Sequence, residues 1–264
     1  MTQPIPTSLT SRRINNVAGK DAQMSFWDHV EELRGTLFRS VLAVFLCSIV
    51  FLFFPKQLFV AVLWPTTPDF VLYRLLGWAF SMDLINVEVS AQFFMHLKVS
   101  VLCALVVAFP YVVYEIWIFI APALYPNERK AVKTAFGLSS GLFYIGVAVG
   151  YFVVLPVCLM FFMNYTVSES IANTITLGSY MSLFFSMVFL IGFLFEFPTV
   201  ILVLSTLGII SRKQMKGVRK YAFVAMMLLS ALITPSDPFS MFVLAIPLYG
   251  LFEFSILLCK KESE

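Results

Sequence analysis

Charge is what this sequence has least of. Only 12% of its 264 residues are Asp, Glu, Lys or Arg, about half the share usual in a soluble domain. No charged residue stands between Lys133 and Glu169, and none from Ser170 to Phe195. Each gap is long enough for a helix to cross a hydrocarbon core of roughly 30 Å. Histidine is scarce as well. His29 and His96 are the two present, without ligand-like spacing or a serine motif. Metal binding and intramembrane proteolysis therefore lack their residues. The four cysteines, Cys47, Cys103, Cys158 and Cys259, form no CxxC pair. They read as small apolar packers, not as a disulfide or zinc framework. No G-x-x-x-x-G-K-[ST] occurs, which excludes P-loop nucleotide hydrolysis. Residues 1–28 are polar and the first apolar run begins only after Arg39, so no cleavable signal peptide is expected.

What is present is apolar. The chain is 60% hydrophobic with 29 Phe, and its mean hydropathy is +0.90. Six apolar segments run at 37–54, 93–118, 134–157, 180–206, 221–233 and 239–259. They are too long or too densely apolar for soluble strands, and none alternates like a barrel strand. The class is all-α integral membrane protein with six transmembrane helices. Tails at 1–22 and 262–264 flank a membrane domain at 23–261, the first of them disordered.

An even number of spans puts both termini on one side. Of the 18 basic residues, 15 flank the expected spans on that same side, leaving Lys56, Arg74 and Lys98 on the other. The positive-inside rule makes the basic face cytoplasmic. The opposite loops, 55–92 and 158–179, are long, and Trp64, Tyr73 and Trp78 suit a headgroup interface. Prolines 110, 156, 198 and 247 interrupt four spans. Each removes a backbone hydrogen bond, and bent helices enclose a concave face more readily than straight ones. The fifth segment has only 13 residues before Thr234, roughly 20 Å of helix. A span that short must thin the lipid or hide behind its neighbours.

Glu196 is the sharpest feature, lying in Phe-Leu-Phe-Glu-Phe-Pro deep in an apolar run. A charge near the bilayer centre costs about 2.5–3.5 kcal/mol on insertion scales, so such a residue faces a cavity or partner, or is protonated. Glu253 also lies in an apolar run, but close enough to Lys260 to reach the interface, and reads as structural. On the basic face, Asp28, Glu31, Glu32 and Arg34 precede the first span, and Glu128 follows the second amid Arg129 and Lys130. Carboxylates there are receptors for guanidinium groups or, more plainly, partners in local surface ion pairs.

Several stretches then resemble one family in order and spacing. They are Ser25-Phe26-Trp27-Asp28-His29 with Glu32-Leu33-Arg34, Trp117 through Arg129, and Leu142-Phe143-Tyr144-Ile145-Gly146. Phe195-Glu196-Phe197-Pro198, Leu232 through Ser240, Leu244-Ala245-Ile246-Pro247 and Leu251-Phe252-Glu253 follow. The chain resembles the TatC family, the polytopic integral subunit of the twin-arginine protein translocase. The resemblance implies a glove-like, concave fold of six kinked helices with both termini cytoplasmic, in the cytoplasmic membrane. It implies a receptor and scaffold, not an enzyme, that helps export folded proteins using the protonmotive force. Its partners would be twin-arginine signal peptides, TatA- and TatB-type single-span proteins and further copies of itself, with no cofactor and no nucleic acid. Glu32, Glu128 and Arg34 would serve the signal-peptide site. Glu196 would face the concave pocket and meet a partner. Asp237, Pro198 and Pro247 would shape structural or partner-facing segments. Met241 departs from the pattern, standing where some relatives carry a polar partner-contacting residue, and the loop at 66–86 matches poorly. The rival reading is a proton-coupled small-solute transporter, which expects an internal repeat that the two halves do not show.

Overall fold

A computed structural model of the chain describes residues 26–78, 80–166, 168, 173–234 and 237–259. The expected tails, Pro235, Ser236, Lys260 and Lys261 lie outside the described residues, as do the side chains of residues 26–29. Helix α1 (Phe26–Leu52) runs unbroken because no Gly or Pro follows Gly35 until Pro55. Pro55 drives Phe54 out of the helical region (φ −121°, ψ 52°) and then begins α2 (Pro55–Leu63). A 3-10 turn at Trp64–Thr66 leads to α3 (Val71–Leu76), which Gly77 ends at φ 67°. A β-substituted side chain is disfavoured at that angle.

Strand β1 (Leu84–Ile85) precedes α4 (Ala91–Ile120). Tyr125, held extended by the following proline, precedes α5 (Pro126–Val149). A π-helical segment, Gly150–Val154, joins α5 to α6 (Leu155–Asn164). Strand β2 (Ile175–Thr176) pairs in parallel with β1 and leads into α7 (Leu177–Phe184). A second π segment, Phe185–Leu190, connects α7 to α8 (Ile191–Leu194), and a turn at Phe195 and Glu196 precedes α9 (Phe197–Thr206). A Ser211–Gln214 capping box opens α10 (Arg212–Gly217), followed by α11 (Arg219–Ile233) and α12 (Pro238–Leu258).

Among the described residues, five helical stretches are long and apolar enough to cross a membrane: Val30–Leu52, Ala91–Ile120, Glu128–Asn164, Leu177–Thr206 and Pro238–Leu258. The sixth apolar segment is α11, whose 15 residues fall below that length, at about 22 Å. The protein is therefore a mostly helical, multi-pass membrane protein. The four prolines differ in effect. Pro110, Pro156 and Pro247 remain inside continuous helical stretches, Pro156 directly after the π segment, whereas Pro198 sits in the first turn of α9 after a break, where a missing N–H costs little.

Helices packed in lipid gain little from hiding apolar surface from one another, so close contact has to come from small residues and interhelical bonds. The crossing of the third and fourth long stretches shows this. A Cβ on Gly150 would lie 2.3 Å from the Met187 carbonyl oxygen, and one on Gly192 would lie 2.8 Å from Val147. The glycines let two backbones touch where both helices widen into π segments. Beside this crossing Phe143, fully buried, stacks on Phe109 with centroids 3.6 Å apart.

At the end opposite the basic residues, α2, α3 and the two short strands form a cap. Tyr73 donates to the Pro65 carbonyl at 2.9 Å, and Tyr180 donates to the Val62 carbonyl at 2.6 Å. The placement of Tyr73 corrects the expectation of an interfacial side chain. Its ring is fully buried against Phe70 and Phe80, because the loop folds back on itself and supplies its own apolar core. Trp64 and Trp78 stay partly exposed.

Candidate functional site

The site residues fall into a rim and an interior. Helix α1 packs along α4, and their register is marked by an ion pair: Arg39 Nε donates to Glu115 Oε2 at 2.8 Å. Tyr111 completes the group by donating to Glu115 Oε1 at 2.7 Å. Glu115 is 5% exposed, so both of its oxygens are held inside the helix interface. Burying an unpaired carboxylate there would be costly.

From that pair the positions of the rim acids follow. Glu32 lies seven residues before Arg39 on α1, about 10 Å along the axis. Glu115 is five residues from the end of α4, about 8 Å in the same direction. Just beyond that end the chain turns at Ala121–Ala123, and Glu128 stands in the first turn of α5. Antiparallel packing of α1 on α4 thus brings Glu32 and Glu128 to one end of the molecule, the end that carries Arg129 and Lys130. Glu32 is half-buried, and its Oε2 is enclosed without a hydrogen-bond partner among the described residues. Glu128 is also half-buried and makes no side-chain ion pair among them. Its place in the first turn of α5 suits a carboxylate, next to the positive end of the helix dipole. Arg34 is exposed on the same turn of α1 as Glu32.

Between rim and interior lies a cavity of about 420 Å³ on the α4–α5 seam, with Trp117, Tyr114, Phe136, Lys133 and Ser140 among its walls. One residue from Ser140, Ser139 donates its hydroxyl to Glu196 Oε2. Glu196 is held at the break before α9, where Pro198 starts a new helix and the Glu196 N–H turns back to Phe193 at 3.0 Å. Its Oε1 is enclosed and takes no hydrogen bond among the described residues. The rim acids and Glu196 therefore belong to different levels of the molecule, linked through α5.

Asp237 and Pro247 lie elsewhere. Asp237 Oδ1 accepts from the Ser240 N–H at 2.7 Å, capping α12, and its Oδ2 is buried and unpaired among the described residues. Pro247 sits inside α12. Glu253 pairs with Arg219 at 2.6 Å and accepts from Tyr249 at 3.1 Å, tying α11 to α12. Sequence reasoning passed over Glu115 and the role of Arg39. The available signal was an acid inside one apolar run with an arginine at the start of another, and the two are 76 positions apart.

The family model for TatC, the Sec-independent protein translocase protein, matches residues 28–247. A Sec-independent protein translocase protein TatC from Halothiobacillus neapolitanus is 35% identical over 246 residues, covering 93% of this chain and 64% of that protein. The chain thus spans just under two thirds of that relative's length. It spans 94% of the Blattabacterium TatC at 34% identity and 85% of the Escherichia coli K12 TatC at 34% identity. A crystal structure of the twin-arginine translocase receptor TatC in DDM superposes with a TM-score of 0.75 at 31% identity. The match covers 88% of this chain and 99% of that one.

Proposed function

Because this chain belongs to the TatC family of Sec-independent protein translocase proteins, we propose that it is the signal-peptide receptor and scaffold of a twin-arginine export system. Folded precursors with paired arginines in their signal peptides are its cargo, and the protonmotive force drives their passage. The observation that carries this reading is the pair of half-buried carboxylates, Glu32 and Glu128, at one rim without ion-pair partners of their own. Two open carboxylates match two guanidinium groups, each able to take a bidentate charge-assisted bond. Arg34 and the basic rim keep the acids from repelling each other and set the approach of the peptide. The apolar part of the signal then has the α4–α5 cavity as a path into the membrane.

The basic rim faces the cytoplasm in this reading, with both termini on that side of the cytoplasmic membrane. Glu196, with one oxygen unpaired among the described residues, supplies the intramembrane contact for a TatA- or TatB-type single-span helix. Asp237, capping α12, the helix break before Pro198, and Pro247 within α12 shape the surfaces where such helices or a second copy dock. The role is that of receptor and scaffold, with no catalytic group assigned. A proton-coupled solute transporter has no observation in its favour, since the relatives are translocase proteins.

Site-specific crosslinking of a twin-arginine precursor to membranes holding this protein tests the assignment. Glu128→Ala should weaken the crosslink more than Asp28→Ala does, and Glu32→Ala/Glu128→Ala should abolish it. An undiminished crosslink in a stably inserted double variant removes these acids from the receptor site.

A further inference from the structure

Pro110 has no N–H, so the Val106 carbonyl one turn earlier in α4 loses its helical partner. Tyr144 on α5 supplies the missing donor: its hydroxyl bonds the Val106 oxygen at 3.1 Å, across 38 positions of sequence. Prolines persist in membrane helices where a neighbouring helix satisfies the carbonyl they set free. The gap that remains in the backbone ladder is where such a helix bends most easily.

The packing of α4 on α5 changes at this point. Beside the proline, Phe109 stacks on Phe143, and with Val113 they form a small buried cluster between the two helices. Towards the basic rim the contact opens into the seam cavity of about 420 Å³. Gly137 lines that cavity, Gly141 follows one turn later, and a Cβ on either would meet nothing within 4 Å. Trp117 and Phe136, with centroids 5.6 Å apart, are the ring contact that spans the seam nearer the rim. On its other side the same half of α4 is tied to α1 by the Arg39–Glu115 pair. The rim half of α4 is thus bonded to α1, loosely packed on α5, and joined to the rest of its helix at a proline.

We propose that Tyr144 is a positioning residue, whose bond to Val106 latches α4 at the Pro110 pivot and keeps the α4–α5 seam narrow. With the bond broken, Tyr111–Ile120 moves with α1 away from α5, which parts Trp117 from Phe136 and widens the cavity. Tyr144 is exposed at the level of the pivot, so the latch is not locked in by surrounding side chains. That a signal peptide uses the widened seam rests on the function proposed above. The latch itself rests on Pro110, Val106 and Tyr144 alone.

Amide hydrogen exchange of the full chain in detergent, with no precursor present, tests the latch, read by mass spectrometry on either side of Pro110. Tyr144→Phe keeps the ring and removes the donor. Amides at 111–120 should then exchange about fivefold faster, the equivalent of one neutral hydrogen bond, while those at 91–105 keep the wild-type rate. Pro110→Ala returns an N–H to the Val106 carbonyl, so in that background Tyr144→Phe should change nothing. A hydroxyl that merely stabilised the fold would speed exchange on both sides of residue 110 and would act whatever stood there. Equal acceleration on both sides, no acceleration, or the same acceleration in Pro110→Ala overturns the proposal. The signal-peptide reading is tested separately, by crosslinking a twin-arginine precursor in membranes through a photoreactive residue in place of Gly137. A stronger crosslink in Tyr144→Phe supports the seam as the signal's path. Faster exchange at 111–120 with an unchanged crosslink establishes the latch and removes the seam from signal capture.

Discussion

Arg39 and Glu115 join the first two long helices by a 2.8 Å bond from the guanidinium Nε to a carboxylate that is almost wholly enclosed. The two residues differ in exposure, 48% for the Arg39 side chain and 6% for that of Glu115, and this asymmetry sets the outcome of removing either one. Arg39→Ala strands a buried carboxylate with Tyr111 alone. Glu115→Ala leaves a half-exposed arginine whose long side chain can reach back towards the rim. Arg39→Ala should therefore destabilise the protein more than Glu115→Ala, and the double variant should recover part of the loss. Because Arg39 is half-exposed, the coupling in a double-mutant cycle should be modest, about 1 kcal/mol. Thermal unfolding of the four proteins in detergent measures it, and purely additive losses would show that the bond contributes nothing.

Gly150 gives a second expectation. The Cβ of an alanine there would meet the Met187 carbonyl oxygen at 2.3 Å and Val188 Cα at 2.9 Å. Both are backbone atoms, so relief requires the two helices to separate. Gly150→Ala should cost about 1–3 kcal/mol, the usual range for overpacking, and Gly150→Val more. Gly137 is the control, since a Cβ added there would meet nothing within 4 Å, and Gly137→Ala should be neutral or slightly stabilising in an exposed helix. Similar melting temperatures for Gly150→Ala and wild type would mean the crossing is looser than the structure has it.

Helix α11 is 15 residues long and ends where the Thr234 hydroxyl donates back to Ser230 at 2.9 Å. At about 22 Å it is short of a roughly 30 Å hydrocarbon core, so the lipid must thin locally or the neighbours must shield its ends. Four Leu residues inserted before Thr234 should add about 6 Å. If thinning aids passage of cargo, export should fall while precursor crosslinking persists. The Arg219–Glu253 bond anchors the opposite end of α11 to α12, so the insertion leaves that anchor in place. Full export by a normally expressed, lengthened protein would argue against thinning.

The extent to which the fold was legible varies with the physics of each part. Long charge-free runs such as 134–168 announce membrane helices because nothing else tolerates them. Each of the six apolar segments overlaps a helical stretch, but the ends differ: α1 starts at Phe26 and not near residue 37, and it ends at Leu52, two residues before the segment 37–54 does. Polar turns at the ends of α1 and α5 carry no hydropathy signal, yet they continue the same backbone ladder. Glu196 was visible because it stands alone among Phe and Leu. Glu115 was not, because Tyr114, Ile116 and Trp117 around it read as one more apolar run and its partner is on another helix. The cap residue Tyr73 was misplaced for a related reason. An aromatic in an outer loop suits an interface by composition, and only the folded loop reveals that it has a core of its own.

The last expectation concerns Glu196. Ser139 donates to Oε2, and Oε1 is enclosed without a partner among the described residues. Thr199, in the first turn of α9, and the backbone at Phe143 lie within hydrogen-bonding reach of the same carboxyl. Such a group has two ways to work. It can offer Oε1 as an acceptor to a polar side chain of a docking helix, or it can take up and release a proton during transport. The two separate on substitution. In the first case Glu196→Gln keeps an acceptor in the same position and should retain much of the export activity. Glu196→Ala, by contrast, should lose partner crosslinking, because the partner's polar group is left unsatisfied at about 1–3 kcal/mol. In the second case the amide cannot titrate, so Glu196→Gln should fail as fully as Glu196→Ala. Ser139→Ala adds a control, since it frees Oε2 without touching Oε1 and should weaken docking less than Glu196→Ala does. For the docking role a partner helix has to displace the packing that encloses Oε1, and the expected order of partner crosslinking is then wild type, Glu196→Gln, Ser139→Ala, Glu196→Ala. Unimpaired export and crosslinking by Glu196→Ala would return this residue to a protonated, structural place between α5 and α9.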